Sequence, residues 1–244
     1  MNIYNSFLLT IIAGFSTIIG YFVIYLNNNK NIIIKSLSFS SSVMLTISLI
    51  DLIPESYNLL NNIKTMPLIL IILISLNIGI ILSILIKKII PDTNDKLYKV
   101  GVISMLTIII HNIPEGMATF IAANTNINLG IKLTIAIALH NIPEGISIAV
   151  PIYYSTKSKL KAFLYTTISG LSELFGAIIT YIFLKTFINN IILGILFSII
   201  AGIMIHISIK ELLLTSLSYN NKKYTYIYFI IGVIFVFIYK IVIE

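Results

Sequence analysis

The hexapeptide His-Asn-Ile-Pro-Glu-Gly occurs twice in this chain, at His111–Gly116 and at His140–Gly145. Each copy follows an apolar run, Leu106-Thr-Ile-Ile-Ile110 before the first and Ile135-Ala-Ile-Ala-Leu139 before the second. A charged side chain inside such a run costs roughly 2.5–3.5 kcal/mol on insertion scales. Ionisable groups kept at that cost mark a functional site by default, and here two imidazoles and two carboxylates are kept.

The spacing has geometry in it. On a helix, His111 and Glu115 share a face, with Cβ atoms about 5–6 Å apart. His140 and Glu144 repeat the arrangement, and Asn112 and Asn141 flank that face. Pro114 cannot donate to the carbonyl of Ile110, nor Pro143 to that of Leu139. Each motif therefore carries a freed carbonyl beside its histidine, at an expected kink. Irregular backbone at membrane depth is tolerated only against protein or a polar cavity.

The polar stretch Asn124–Asn128 reads as the turn between two helices. Each motif's centre lies about fourteen residues from it, or about 21 Å at about 1.5 Å per residue. In an antiparallel pair the two motifs are then level, near mid-membrane. His, Asn and Glu converging from facing helices form a nitrogen-and-oxygen cage suited to a divalent metal. Two other readings use the same residues: kinked helices with hydrogen-bonded polar cores, and a proton relay without metal. A packing motif, however, has no need of repeated carboxylates.

These motifs need elements that hold them in a bilayer. Hydrophobic residues are 58% of the chain and mean hydropathy is +1.02, which excludes an ordinary soluble domain. Cysteine is absent, and with it disulfides and thiolate metal sites. Every basic residue is lysine. The net charge of +7 is no nucleic-acid signal, because the lysines sit in short loops between apolar runs.

Eight apolar segments, each about 20 residues and long enough to span hydrocarbon, run near 4–26, 33–57, 67–88, 98–123, 130–153, 160–184, 190–213 and 224–243. They are spans 1 to 8 of one all-α transmembrane domain covering 1–244. Span 1 has no basic leader and is too long for a signal-peptide core, so it reads as a true span. Loops after the odd-numbered spans hold Lys30, Lys35, Lys87, Lys88, Lys96, Lys99, Lys157, Lys159, Lys161, Lys210, Lys222 and Lys223. The other side holds only Lys64, Lys132 and Lys185, with Lys240 near the C-terminus. A bias of about four to one puts the lysine-rich side inside and both termini outside.

A second repeat is visible. Phe7–Gly20 aligns without gaps on Phe163–Gly176, and Val43–Leu52 on Ile203–Leu212. Span 1 thus matches span 6 and span 2 matches span 7, in opposite directions. An inverted repeat of spans 1–3 and 6–8 around the central pair 4–5 is a transporter signature, with the substrate site near the midplane. Glu173 stands where the first copy has Thr17, and is expected to face the site as a third carboxylate. Asp51 and Glu211 are equivalent, toward the outer and inner ends of their helices. Glu55 shares the face of Asp51. For these three a gate role and a snorkelling carboxylate both remain open. A lone histidine such as His206 is more often a satisfied core residue than a ligand.

These residues resemble the ZIP (Zrt-, Irt-like protein) metal-transporter family, most closely its bacterial zinc-uptake branch, the ZupT type. His111–Gly116 looks like the family's fourth-span signature, His140–Gly145 like its fifth, and Ser169-Gly-Leu-Ser-Glu173 like its sixth-span motif. The resemblance implies that His111, Glu115, His140 and Glu144 hold metal. Asn112, Asn141 and Glu173 would complete that site or a neighbouring one. It further implies a homodimer in the cell membrane, with spans 1, 4, 5 and 6 moving against the rest. The loop Lys87–Lys99 is short and lacks the histidines many members carry there. The expected function is import of a divalent transition metal, zinc first, with iron, manganese, cobalt and cadmium also suited, and with no resident cofactor. The alternative is an intramembrane metal-dependent hydrolase, against which stand the symmetric duplication and the lack of a His-Glu-x-x-His helix. A metal-gated channel or sensor is the third reading.

Overall fold

The computed structural model describes residues 3–26, 31–90, 95–183 and 189–243. Their regular structure is entirely helical. Among the described residues, eight helices are long and apolar enough to cross a membrane: span 1 Ile3–Tyr25, span 2 Asn31–Leu59, span 3 Thr65–Ile89, span 4 Lys96–Thr125, span 5 Ile127–Thr156, span 6 Lys159–Phe183, span 7 Asn190–Leu217 and span 8 Lys222–Ile241. Most run a few residues past the hydropathy limits, because polar ends of a helix still make helical hydrogen bonds. Lys30, Lys185 and Leu184 lie outside the described residues, as do positions 91–94 of the loop between spans 3 and 4.

Contacts give each helix its direction. His111 meets Glu144 and Glu115 meets His140, so spans 4 and 5 are antiparallel. Span 1 lies parallel to span 5, with Ala13 at Asn141 and Thr17 at Gly145. Span 6 runs parallel to span 4, with Ser169 at Asn112 and Glu173 at Gly116. In the other half, span 2 is antiparallel to span 7 through Ser41–Ser208 and Ser56–Gly194. Span 8 lies parallel to span 2 through Ser38–Thr225 and Asp51–Lys240. Span 3 lies parallel to span 7 through Ser83–His206 and Lys87–Glu211. Spans 1, 4, 5 and 6 thus form one group and spans 2, 3, 7 and 8 another. The groups join where span 2 lies on span 5, Ser40 donating to the Pro143 carbonyl at 2.6 Å.

Lipid tails are as apolar as leucine, so close backbone packing and hydrogen bonds must hold such a bundle together. Span 2 buries a run of serines, Ser36, Ser38, Ser40, Ser41, Ser42 and Ser48. Three of them reach carbonyls of other helices. The glycine that closes each hexapeptide does the rest. A methyl group at Gly116 would overlap the Glu173 backbone, and one at Gly145 would overlap the Thr17 carbonyl. The motif's last residue therefore sets how closely spans 6 and 1 approach the site helices.

Both site helices stay helical through Pro114 and Pro143. π-Helical turns occur at Ser48–Leu52 of span 2 and Ser208–Leu213 of span 7.

Gly145→Ala is expected to force spans 1 and 5 apart at a cost of about 1–3 kcal/mol, the usual range for overpacking. A lower unfolding midpoint of the detergent-solubilised protein would register it, and a parental midpoint would refute this role for Gly145.

Candidate metal centre between spans 4 and 5

Asn126 is the whole link between the two site helices. Its N–H donates to the Ala122 carbonyl at 2.9 Å and ends span 4. Its side-chain oxygen accepts from the amides of Asn128 at 2.9 Å and Leu129 at 3.3 Å, capping span 5. The expected five-residue turn is thus a single residue, since the neighbouring polar residues continue the helices. So tight a hairpin leaves the register little freedom, and the two motifs come level.

At that level His111 Nε2 lies 3.1 Å from Glu115 Oε1 and 3.1 Å from Glu144 Oε1. His140 Nε2 shares a hydrogen bond of 3.0 Å with Glu115 Oε1. Ligand atoms of His111, Glu115 and His140 all fall within 4.8 Å of one another, the one such group of three among the described residues. Glu144 joins it through His111. Tetrahedral zinc at about 2.0–2.1 Å from each ligand holds its ligands about 3.3 Å apart. The His–Glu separations of 3.0 to 3.1 Å need widen only slightly to match that spacing.

The remaining predicted residues, Asn112, Asn141 and Glu173, are fully buried. Asn141 donates from Nδ2 to the Ala13 carbonyl at 3.0 Å and also to Glu173 Oε1. Asn112 donates from Nδ2 to the Ser169 carbonyl at 3.1 Å. Each amide nitrogen is thus committed to a neighbouring helix, while each Oδ1 is buried without a hydrogen-bond partner. Glu173 is fully buried, as its repeat position suggested. Glu115 Oε2, both oxygens of Glu144, Glu173 Oε2 and both ring nitrogens of His111 likewise lack hydrogen-bond partners. Buried polar groups are nearly always paired, so this concentration of unmatched donor atoms fits a cationic guest. Imidazole nitrogen with carboxylate and amide oxygen suits zinc and its borderline neighbours.

A cavity of about 640 Å³ reaches the group from one face. It runs between the two helix groups, and His140 is the cluster residue in its wall. The cavity face gathers the late residues of spans 2, 4 and 8 and the early residues of spans 5 and 7. Span 5 divides at the site. Toward the cavity many of its residues are exposed, whereas beyond Gly145 every residue from Ile146 to Ile152 is buried.

His206 stands apart from this centre, sharing a 2.8 Å hydrogen bond with Ser83 through Nδ1. Asp51 and Glu211 are ion-paired, Asp51 with Lys240 at 2.7 Å and Glu211 with Lys87 at 2.7 Å. Glu55 is exposed in the cavity wall. Sequence reasoning had no partner for either carboxylate. Each lysine sits at the end of a span, where it reads as an orientation signal, and only the docking of spans 3 and 8 brings it across.

The sequence profile of the ZIP Zinc transporter family matches residues 93–240. A protein named zinc transporter ZupT from Clostridium perfringens is 38% identical, with 90% of this chain and 89% of that protein aligned. Its namesake from Streptococcus mutans is 37% identical over 95% and 94% of the two chains. The one from Campylobacter jejuni is 35% identical over 90% of each.

Glu115→Gln is expected to weaken zinc binding to the purified protein by at least the roughly 10–100-fold that losing a mere supporting group costs. His206→Ala should bind as the parent does. Calorimetric titration measures both, and equal affinity for parent and Glu115→Gln would remove Glu115 from the site.

Proposed function

The chain belongs to the ZIP family of zinc transporters, and from that premise we propose that it carries zinc into the cell by alternating access through the centre between spans 4 and 5. It is a multi-pass membrane transporter, not an enzyme. The observation that carries the reading is the level, buried set of two imidazoles and two carboxylates at the floor of a cavity. In this reading His111, Glu115, His140 and Glu144 hold the ion, and Asn112, Asn141 and Glu173 complete the site or a second one beside it. Iron, manganese, cobalt and cadmium suit the same donors. The relatives' names favour zinc.

Sidedness follows from the lysines. The cavity opens on the face that carries Lys64, Lys132 and Lys240, the lysine-poor one. By the positive-inside rule this is the outer face, so both termini lie outside and the conformation faces outward. Spans 1–3 and 6–8 act as an inverted repeat within one eight-span domain. In support, span 3 lies on span 7 as span 8 lies on span 2, and the two π-helical turns fall at matching positions. Transport then moves spans 1, 4, 5 and 6 against spans 2, 3, 7 and 8 until the packed half of span 5 opens inward. The ligands bind metal only when deprotonated, so protonation on the inner side aids release. A homodimer in the cell membrane is part of the proposal. An intramembrane hydrolase is disfavoured, because both carboxylates of the group sit against imidazoles and neither is set aside as a general base.

Radiolabelled zinc uptake into proteoliposomes tests this. The parent should accumulate zinc with saturable kinetics, and Glu115→Ala and Glu144→Ala should fall to the rate of protein-free vesicles. Parental rates in both variants would contradict the assignment.

A further inference from the structure

The wall of the cavity carries an ion pair that the transport mechanism does not use. Asp51 lies in the π-helical turn of span 2, and Lys240 lies at the end of span 8. Ile50 lies in the same turn, just before Pro54. Lys240 Nζ donates to the Ile50 carbonyl at 3.0 Å and to Asp51 Oδ1 at 2.7 Å. The hydroxyl of Tyr239 donates to Asp51 Oδ2 at 3.1 Å and holds the carboxylate in place. A carboxylate beside a carbonyl is a set of oxygen donors for a cation, and the protein's own ammonium already occupies it.

Position gives this arrangement a consequence. Ile50, Asp51, Tyr239 and Lys240 all line the cavity whose wall includes His140. Glu55 is the other carboxylate in that wall. A dication entering from this face meets the two acids with one already matched by Lys240. The pair is about two-thirds buried on both sides, so bulk salt screens it less than a pair in open water. The equivalent pair, Lys87–Glu211, is not among the residues lining this cavity.

We propose that Lys240 is a tethered competitor for the incoming metal ion: its ammonium holds the Asp51 and Ile50 oxygens, and a dication must displace it to pass toward His140. Lys240 thereby sets the concentration at which uptake saturates, while the turnover step at the buried centre is independent of it. The inference rests on the transport reading above.

The test is initial zinc uptake by proteoliposomes as a function of zinc concentration. Lys240→Met keeps the aliphatic stem and removes the charge. It should lower KM about two- to fivefold, the factor carried by an ion pair of about 0.4–1 kcal/mol, and leave kcat unchanged. Lys240→Arg, which keeps the charge, should stay near the parent. In an Asp51→Asn background, Lys240→Met should have no further effect, since the competed-for carboxylate is gone. Lys132→Met removes a lysine from the same face outside the cavity and should not reproduce the drop. Should Lys240→Met fail to reconstitute, Lys240→Gln makes the same comparison. The proposal is overturned if KM is unchanged or raised, if the drop persists without Asp51, or if Lys132→Met matches it. A parent that takes up no zinc would overturn the transport reading instead.

Discussion

Glu115, Glu144 and Glu173 are three carboxylates in the interior of a membrane bundle, and only His111 and His140 stand opposite them. At an effective dielectric constant of about 20, two unit charges 4 Å apart interact by about 4 kcal/mol, several times the value in water. Like charges buried this deeply repel accordingly, because burial leaves little solvent to spread the charge. A dication answers that imbalance better than any side chain could. The same constraint explains the neighbours. Asn112 and Asn141 spend their amide nitrogens on backbone carbonyls and keep their buried oxygens without hydrogen-bond partners.

The rest of the bundle serves to hold those groups level. A single capping residue, Asn126, joins the two site helices, so neither can slip against the other without losing its cap. Glycines at the end of each hexapeptide bring spans 1 and 6 into backbone contact. These four helices form a unit tied internally by amide-to-carbonyl bonds. Toward span 2 the tie is a serine hydroxyl on the Pro143 carbonyl together with buried apolar packing. The two groups also share one apolar core, in which Met44, Ile47 and Met204 are buried in the same cluster as Ile148 and Ile152.

Much of this was legible in the chain. The duplicated hexapeptide dictated the level pair, because spacing from a shared turn sets depth on antiparallel helices. The Thr17–Glu173 correspondence pointed to the third carboxylate, which is buried against Asn141. Other features were not legible. Helices run through polar residues such as Asn124 and Thr125, because a helical hairpin with one capping residue satisfies their backbone better than a longer turn. Helical structure continues through the motif prolines, and π-helical turns that the sequence did not announce fall at Asp51 and Glu211. No local pattern announces a π-turn. Nor does sequence reveal that Lys240 crosses to Asp51, since that pairing exists only once span 8 docks on span 2.

The most direct test of the centre is the coordination shell of the bound ion, read by X-ray absorption at the zinc edge of the loaded protein. Two imidazole nitrogens at about 2.0–2.1 Å and carboxylate oxygens at about 2.0–2.2 Å are predicted. One imidazole should disappear in His111→Ala and the other in His140→Ala. A shell of oxygens alone, or one that neither substitution alters, would contradict a zinc ion held between spans 4 and 5.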